Sequence, residues 1–257
     1  MATKTILIPL PDYGFDPTEA AIPWKLLSEH KHTVQFATPD GKPAQADELM
    51  LTGQRLGIWK PVLRARQDAI DAYSQMLKSE TFCNPCKYSD AQENNYSAIL
   101  LPGGHDKRIK VYLESEILQK LVANFFSAGK PVAAVCHGVV LAARSIQPNN
   151  GNSVLHGYKT TALLKSQEML AYNLTRLWLQ DYYLTYPEIT VEDEVRSVLA
   201  SNQDFQTGPK PVLKDSPGSL NRGFALRDRN YLSARWPGDI YNFSFEFLRL
   251  LDDHGTH

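Results

Sequence analysis

Lys130-Pro131-Val132-Ala133-Ala134-Val135-Cys136-His137-Gly138-Val139-Val140-Leu141-Ala142-Ala143 is the stretch that decides the fold. The residues up to Val135 suit a short strand buried on both faces. Gly138 and the apolar run behind it suit a helix packed closely on a sheet, and Cys136 falls at the join. A strand that turns sharply into a helix lifts the residue at the turn out of the sheet and strains its backbone. The same turn aims the first N–H groups of the helix at that side chain. This is the logic of a nucleophile elbow, here with Cys in place of Ser. A helix N-terminus favours a thiolate and can hold a developing oxyanion. A buried Cys on a plain core strand is common, but a core strand rarely stops in a polar residue and a Gly.

Working outward, the same alternation of strand and helix recurs. Upstream, Ala98-Ile99-Leu100-Leu101-Pro102 reads as a strand ending in Gly103-Gly104-His105-Asp106, where glycines allow close backbone approach. Residues 114–128 carry apolar side chains at a helical period, and Gly129 stops them. At the N-terminus, Thr5-Ile6-Leu7-Ile8-Pro9-Leu10 is a first strand, and a helix follows to about His30. Asp16 suits its N-cap, Pro17 its first turn, and Glu19 the third position of a capping box. Val34-Gln35-Phe36-Ala37-Thr38 completes a β-α-β unit, which predicts a parallel sheet with right-handed crossovers.

Residues 44–95 break the pattern, with a helix expected at 62–78 and no good strand; they read as a cap inserted over the sheet. Downstream, a short strand is expected at 158–162, then a long helix from 167 to 183 capped by Ser166, within a helical insertion at about 164–187. A short helix near Thr190, a hairpin or two short strands at 224–234 and a final helix at 240–251 complete the chain. The prediction is a single α/β domain over 1–257, built as three layers. Ligands in such folds bind at the carboxyl ends of the strands. The loops that carry Glu19, Gly103-Gly104 and Cys136 all lie at such ends.

Composition bounds the function. The 257 residues are 43% hydrophobic, enough for a sizeable core, and the net charge is −1 with no long basic run. Binding to nucleic acid or an anionic membrane surface therefore has no electrostatic support. No apolar stretch approaches the about 20 residues of a membrane-spanning helix, and the N-terminus shows no signal-peptide pattern. Three cysteines are an odd number for a disulfide framework. A cytoplasmic location is expected. Cys83-Asn84-Pro85-Cys86 forms a CxxC pair, but no strand precedes it and no second pair exists to complete a zinc site, so it reads as a loop feature open to oxidation.

Ile99-Leu100-Leu101-Pro102-Gly103-Gly104-His105, followed by Ala134-Val135-Cys136-His137-Gly138, resembles the ThiJ/PfpI superfamily, relatives of class I glutamine amidotransferases. The resemblance extends to Asp16-Pro17-Thr18-Glu19 and to the stretch from Asn230 to Asp239. It implies a flavodoxin-like three-layer sandwich with a mainly parallel sheet, a nucleophile elbow and an inserted cap. The cap and the His after the two glycines are similar to the larger branch, which holds glutathione-independent glyoxalase III enzymes and heat-inducible holding chaperones. One departure is Ala134, where the family often has Gly.

Residue by residue, the resemblance implies that Cys136 is the nucleophile and that Glu19 shuttles its proton. His137 would be the catalytic histidine, with Glu168 completing a Cys-His-acid triad. Gly104 and His137 would supply oxyanion-hole N–H groups, and Gly103 and His105 would line the substrate site. Glu19 would equally serve as a helix cap, and Glu168 as a solvated acid in the first turn of a helix. Trp178, Tyr182, Tyr183 and Tyr186 read as packing residues of the insertion or of a subunit contact.

The implied reaction is conversion of methylglyoxal, a small-molecule carbonyl, to lactate, with no metal or organic cofactor required. Amide or peptide hydrolysis on the same thiol is the runner-up. A holding chaperone or redox stress-response role is the third reading, favoured by any large apolar patch on 44–95. A homodimer or larger homo-oligomer is expected by the same resemblance.

Overall fold

The computed structural model describes residues 3–254. Nine strands are present among them: β1 (Thr5–Pro9), β2 (Tyr13–Phe15), β3 (Thr33–Thr38), β4 (Gln45–Ala46), β5 (Cys86–Lys87), β6 (Ala98–Leu101), β7 (Val132–Val135), β8 (Ala225–Asp228) and β9 (Tyr231–Ala234). Seven of them form one sheet in the order β5-β3-β1-β6-β7-β9-β8, and β2 and β4 form a separate small pair. Every pairing in the main sheet is parallel except β8 with β9.

Helices cover the sheet. Pro17–Glu29 packs with Gln67–Met76 and Ile240–Asp253, while Glu116–Ser127 packs with Gly138–Arg144. Covered on both faces, β1, β6 and β7 carry unbroken apolar runs, and Ile6, Leu7, Ile8, Ile99, Leu100, Leu101 and Val132–Val135 are fully buried. The flavodoxin-like three-layer expectation therefore holds. The chain order reverses at β1, which lies between β3 and β6. Such a switch point leaves a crevice beyond the strand ends, because the connections on either side run to opposite faces.

The local expectations hold where capping chemistry is strong. Asp16 caps Pro17–Glu29 by accepting from the N–H groups of Thr18 and Glu19, and Ser115 caps Glu116–Ser127. They fail where tertiary contacts intervene. The helix expected at 62–78 is broken into Lys60–Leu63 and Gln67–Met76. Between them, Arg64 and Arg66 are extended, and their side chains reach the carbonyls of Leu51 and Asp215. The 44–95 segment does hold strands, β4 and β5, each two residues long. No regular strand forms at 158–162, where Thr160 makes only an isolated bridge to Phe205. The long helix is Lys165–Leu179 with Leu164 at its N-cap, so Ser166 lies inside it.

One packing contact fixes the elbow. A Cβ built on Gly138 would lie 2.0 Å from the carbonyl oxygen of Leu101 and 2.9 Å from that of Pro102. The helix after Cys136 therefore starts directly against the end of β6. Both obstacles are main chain, so Gly138→Ala is expected to displace the helix. The cost should be on the order of 3 kcal/mol, in the range of the larger single-residue effects. Thermal unfolding checks this, and an unchanged midpoint would show that the contact is dispensable.

Candidate active site

Cys136 has φ +56°, a left-handed conformation that non-glycine residues adopt rarely and at a cost of about 1–3 kcal/mol. The conformation is held from both sides. Its N–H donates to the carbonyl of Ala234, and its carbonyl accepts from Val139 at the start of the helix. The thiol sits under cover, with the residue 1% exposed. Sγ lies 3.4 Å from Nδ1 of His137. The main-chain N–H of His137 also faces the sulfur and favours the thiolate. Burial and the nearby Glu19 carboxyl outweigh it and raise the thiol well above its ordinary value, so the resting sulfur keeps its proton.

Glu19 comes from the first turn of the helix after β1. Its side chain does not complete the capping box. It turns across the loop instead: Oε2 accepts from the N–H of Gly103 at 2.7 Å, and the carboxyl faces the Cys136 thiol as a hydrogen-bond partner. The close neighbour Asp16 is tied to the same place, since its N–H donates to the carbonyl of Gly103 at 2.8 Å. Burial raises the Glu19 carboxyl well above its usual range, with Asp16 adding to the effect. A Cβ on Gly103 would meet the His137 nitrogen at 2.6 Å and Glu19 Oε2 at 2.9 Å, so Gly103 is a spacer between the acid and the elbow. Gly104 packs just as closely on the first loop, 2.4 Å from the Gly14 carbonyl on the same test.

His137 is fully buried, and burial holds its imidazole neutral, well below the ordinary histidine value. Its Nε2 lies 3.0 Å from Oγ1 of Thr185, and the Thr185 hydroxyl donates to the carbonyl of His105 at 3.2 Å. With its own proton committed to that carbonyl, Thr185 accepts from Nε2–H. That leaves Nδ1 as the bare nitrogen facing the thiol, the tautomer a general base needs.

The carboxylate expected beside the imidazole is elsewhere. Glu168 is 1% exposed, but its Oε2 accepts from the N–H of Val191 at 3.0 Å. It thus joins the helix Lys165–Leu179 to the start of Val191–Ser197, and no bond to His137 is present among the described residues. Nor is Glu168 a solvated surface acid: burial lifts it to about 7. Sequence reasoning missed Thr185 because a lone Thr in an aromatic loop carries no periodic or motif signal; only the path of 180–187 brings it to the imidazole.

His105 is confined against the same centre. Its ring meets those of His137 and Tyr183 edge-on, each at 5.0 Å, and burial lowers it to about 4. Tyr183 follows Tyr182, whose hydroxyl bonds Asp47 at the rim of a surface cleft of about 290 Å³. The cleft is lined in part by Tyr13, Asp47, Arg55, Asp106 and Tyr182, and Cys136 does not reach it. All three cysteines are free; Cys83 and Cys86 bond to different partners, the carbonyl of Leu77 and the hydroxyl of Tyr96. Among the described residues, no group of three or more His, Cys, Asp or Glu is placed to hold a metal ion.

Two measurements follow from this geometry. The folded Glu168 carboxyl binds a proton that the unfolded chain releases near 4.5, so its contribution to stability falls as pH rises from 4.5 to about 7. Glu168→Gln should therefore flatten the decline of the unfolding midpoint between pH 5 and 8 relative to wild type. Parallel curves would contradict the assignment. Thr185→Val removes the acceptor of Nε2–H and should slow alkylation of Cys136 about tenfold at pH 7, the equivalent of one net hydrogen bond. An unchanged rate would mean that the tautomer is set in some other way.

The model of a family described as ThiJ/PfpI family-like matches residues 10–209. An uncharacterised protein of Schizosaccharomyces pombe is 27% identical over 184 residues, covering 67% of this chain and 67% of its own. A protein named deglycase from Thermococcus kodakarensis is 23% identical over 164 residues, covering 64% of this chain and 68% of its own. Among solved structures, glyoxalase III from Candida albicans superposes with a TM-score of 0.69 at 18% identity, covering 96% of this chain and 97% of that one. At that identity the likeness shows a shared fold.

Proposed function

Because the chain belongs to the ThiJ/PfpI-like family, we propose that it is a cysteine enzyme of small reactive carbonyls, converting methylglyoxal to lactate without glutathione. The observation that carries this reading is the meeting of a thiol, a carboxyl raised well above its usual range and a neutral imidazole at one covered point: Cys136, Glu19 and His137. Relatives named glyoxalase III and deglycase support the class of substrate. The cover supports a small one, since Cys136 and His137 have almost no exposure. A peptide chain would need the loops above them to part, which disfavours the hydrolase reading.

In the proposed reaction, sulfur bonds to the aldehyde carbon while its proton passes to Nδ1 of His137. The carbonyl electron pair moves to oxygen, which takes the Glu19 proton, and a hemithioacetal results. The main-chain N–H groups of His137 and Gly104 are the proposed donors to that oxygen as charge develops. Glu19, now ionised, removes the hydrogen of that carbon as a proton, and His137 protonates the second oxygen. Glu19 then returns its proton to the second carbon, the first oxygen gives its own back to His137, and a lactoyl thioester remains. Water adds its oxygen to the acyl carbon and gives a proton to Glu19, the carbon–sulfur bond breaks as His137 returns its proton to sulfur, and lactic acid leaves and ionises to lactate. Atoms balance, and no oxidant or reductant enters. A neutral acid that becomes a base within one turnover is the use to which a buried carboxyl with a raised pKa is suited.

A second reading, as a holding protein, draws on apolar side chains exposed on the 44–95 segment: Ile58 is 82% exposed and Val62 57%. The same surface would suit self-association, and a homo-oligomer remains our proposal.

Lactate formation from methylglyoxal, without glutathione, tests the main reading. Cys136→Ala and Glu19→Gln should each lose at least about 100-fold, the range for removing a nucleophile or a general acid–base. Glu168→Gln should retain most activity, since its carboxyl serves the Val191 N–H. A wild-type protein that forms no lactate would reject the reaction; suppression of aggregation by that same protein would move the assignment to the second reading.

A further inference from the structure

One face of the helix Lys165–Leu179 is buried. Glu168, Thr175 and Leu179 point inward, and Ala171 and Tyr172 pack on the small apolar cluster around Met50, Leu56 and Tyr183. The opposite face carries Leu170, Asn173, Leu174 and Leu177. The solvent side of a surface helix ordinarily holds charged and polar residues. Here Leu177 is 89% exposed and Leu170 59%, with Leu174 half-buried between them. Trp178 continues this surface. Its indole N–H donates to the carbonyl of Arg55 at 2.6 Å, and a Cβ built on Gly57 would touch its ring at 4.0 Å. Ile58 follows that glycine and is largely exposed. Single exposed apolar side chains are ordinary, but a contiguous patch beyond a few hundred Å² marks a contact site.

The pattern on the face says what covers it. Leu170, Asn173, Leu174 and Leu177 step by three, one and three, so the spacing is the same read in either direction. A two-fold interface presents one patch to itself, residue i meeting j while j meets i. Two copies of the helix laid antiparallel, with the axis between Asn173 and Leu174, bring each Leu170 opposite Leu177 of the second copy. The two Asn173 side chains then meet beside the axis. An amide both donates and accepts, so the pair can satisfy one another. A single Asn among apolar residues is a known means of fixing register in paired helices. Arg176 falls opposite Ala171 of the second copy and meets no like charge there. The end that carries Trp178 and Ile58 lies where the second copy's helix begins. A stable interface buries at least about 1,000 Å² in total, more than two 15-residue helices supply alone. Trp178 and Ile58 extend the patch, and symmetry counts that extension twice.

We propose that two copies of this chain pair antiparallel through the Leu170–Leu177 face of this helix. The inference rests on the self-association proposed above and not on the reaction; it adds the surface and the geometry.

Sedimentation of the full chain over a range of concentrations measures the pairing. Leu177→Glu should raise the dimer dissociation constant at least about 100-fold, because symmetry counts each buried Leu twice. Leu177 makes little contact within one chain, so the variant should unfold at the wild-type temperature when both are dilute. With Cys83 and Cys86 replaced by Ser, a short bismaleimide should join Asn173→Cys chains in pairs. It should not join Lys165→Cys chains, because antiparallel pairing holds that position about 25 Å from its counterpart. Cys136, buried in both, is common to the two samples. Joining at Lys165→Cys, alone or together with Asn173→Cys, overturns the antiparallel geometry, and joining at neither overturns the face. A dimer that Leu177→Glu leaves intact keeps self-association and rejects this surface. A chain monomeric at every concentration rejects both. If such a monomer suppresses the aggregation of an unfolded protein and Leu177→Glu abolishes that, the face belongs to unfolded chains instead.

Discussion

The contact between Gly138 and the carbonyl of Leu101 is the constraint on which the site depends. A helix that begins in van der Waals contact with the end of a neighbouring strand leaves no room for a gradual turn. The chain must reverse within two residues, and Cys136 takes the left-handed conformation that this requires. The strain is held by bonds on both sides, to Ala234 and to Val139. Everything else at the centre is placed relative to that turn. Gly103 lies against the His137 nitrogen, Glu19 hangs from the Gly103 N–H, and Asp16 is bonded to the carbonyl of the same glycine. The geometry is built from main chain, which moves less than side chains do.

The electrostatics follow from the same closure. Low water access removes the usual preference of a carboxyl for ionisation and of an imidazole for protonation. Thr185 occupies the side of the imidazole where a carboxylate would have raised its basicity. A hydroxyl fixes the tautomer but adds no charge, so burial is left to hold the imidazole neutral and to raise the Glu19 carboxyl and the Cys136 thiol. A buried pair of full charges would have carried a large desolvation cost.

How much of this was legible in the sequence depended on range. The elbow, its strand and the glycine loop were visible because each is defined by a few adjacent residues with strong backbone preferences. Asp16 as a cap was visible for the same reason. The direction of the Glu19 side chain was not, since first-turn acids have two outlets and only the position of Gly103 decides between them. Glu168 was placed correctly on its helix, but its partner was misassigned: the N–H of Val191 lies 23 residues away along the chain. Thr185, 48 residues beyond His137, left no local trace. The break near Arg64 and Arg66 was also invisible, because those side chains are spent on carbonyls of segments far away in sequence.

The rims of the sheet bear on how such a chain could change over evolutionary time. One rim ends in the two-residue β5 and the other in the antiparallel strand β8. Short or reversed rims offer little template for a further parallel strand. The long connections are instead the crossovers after β3 and after the elbow helix. Those segments deliver Asp47, Tyr182 and Thr185 above the carboxyl ends of the strands. Changes of length in those two connections would alter the surroundings of the elbow without touching the main-chain contacts that hold the turn at Cys136.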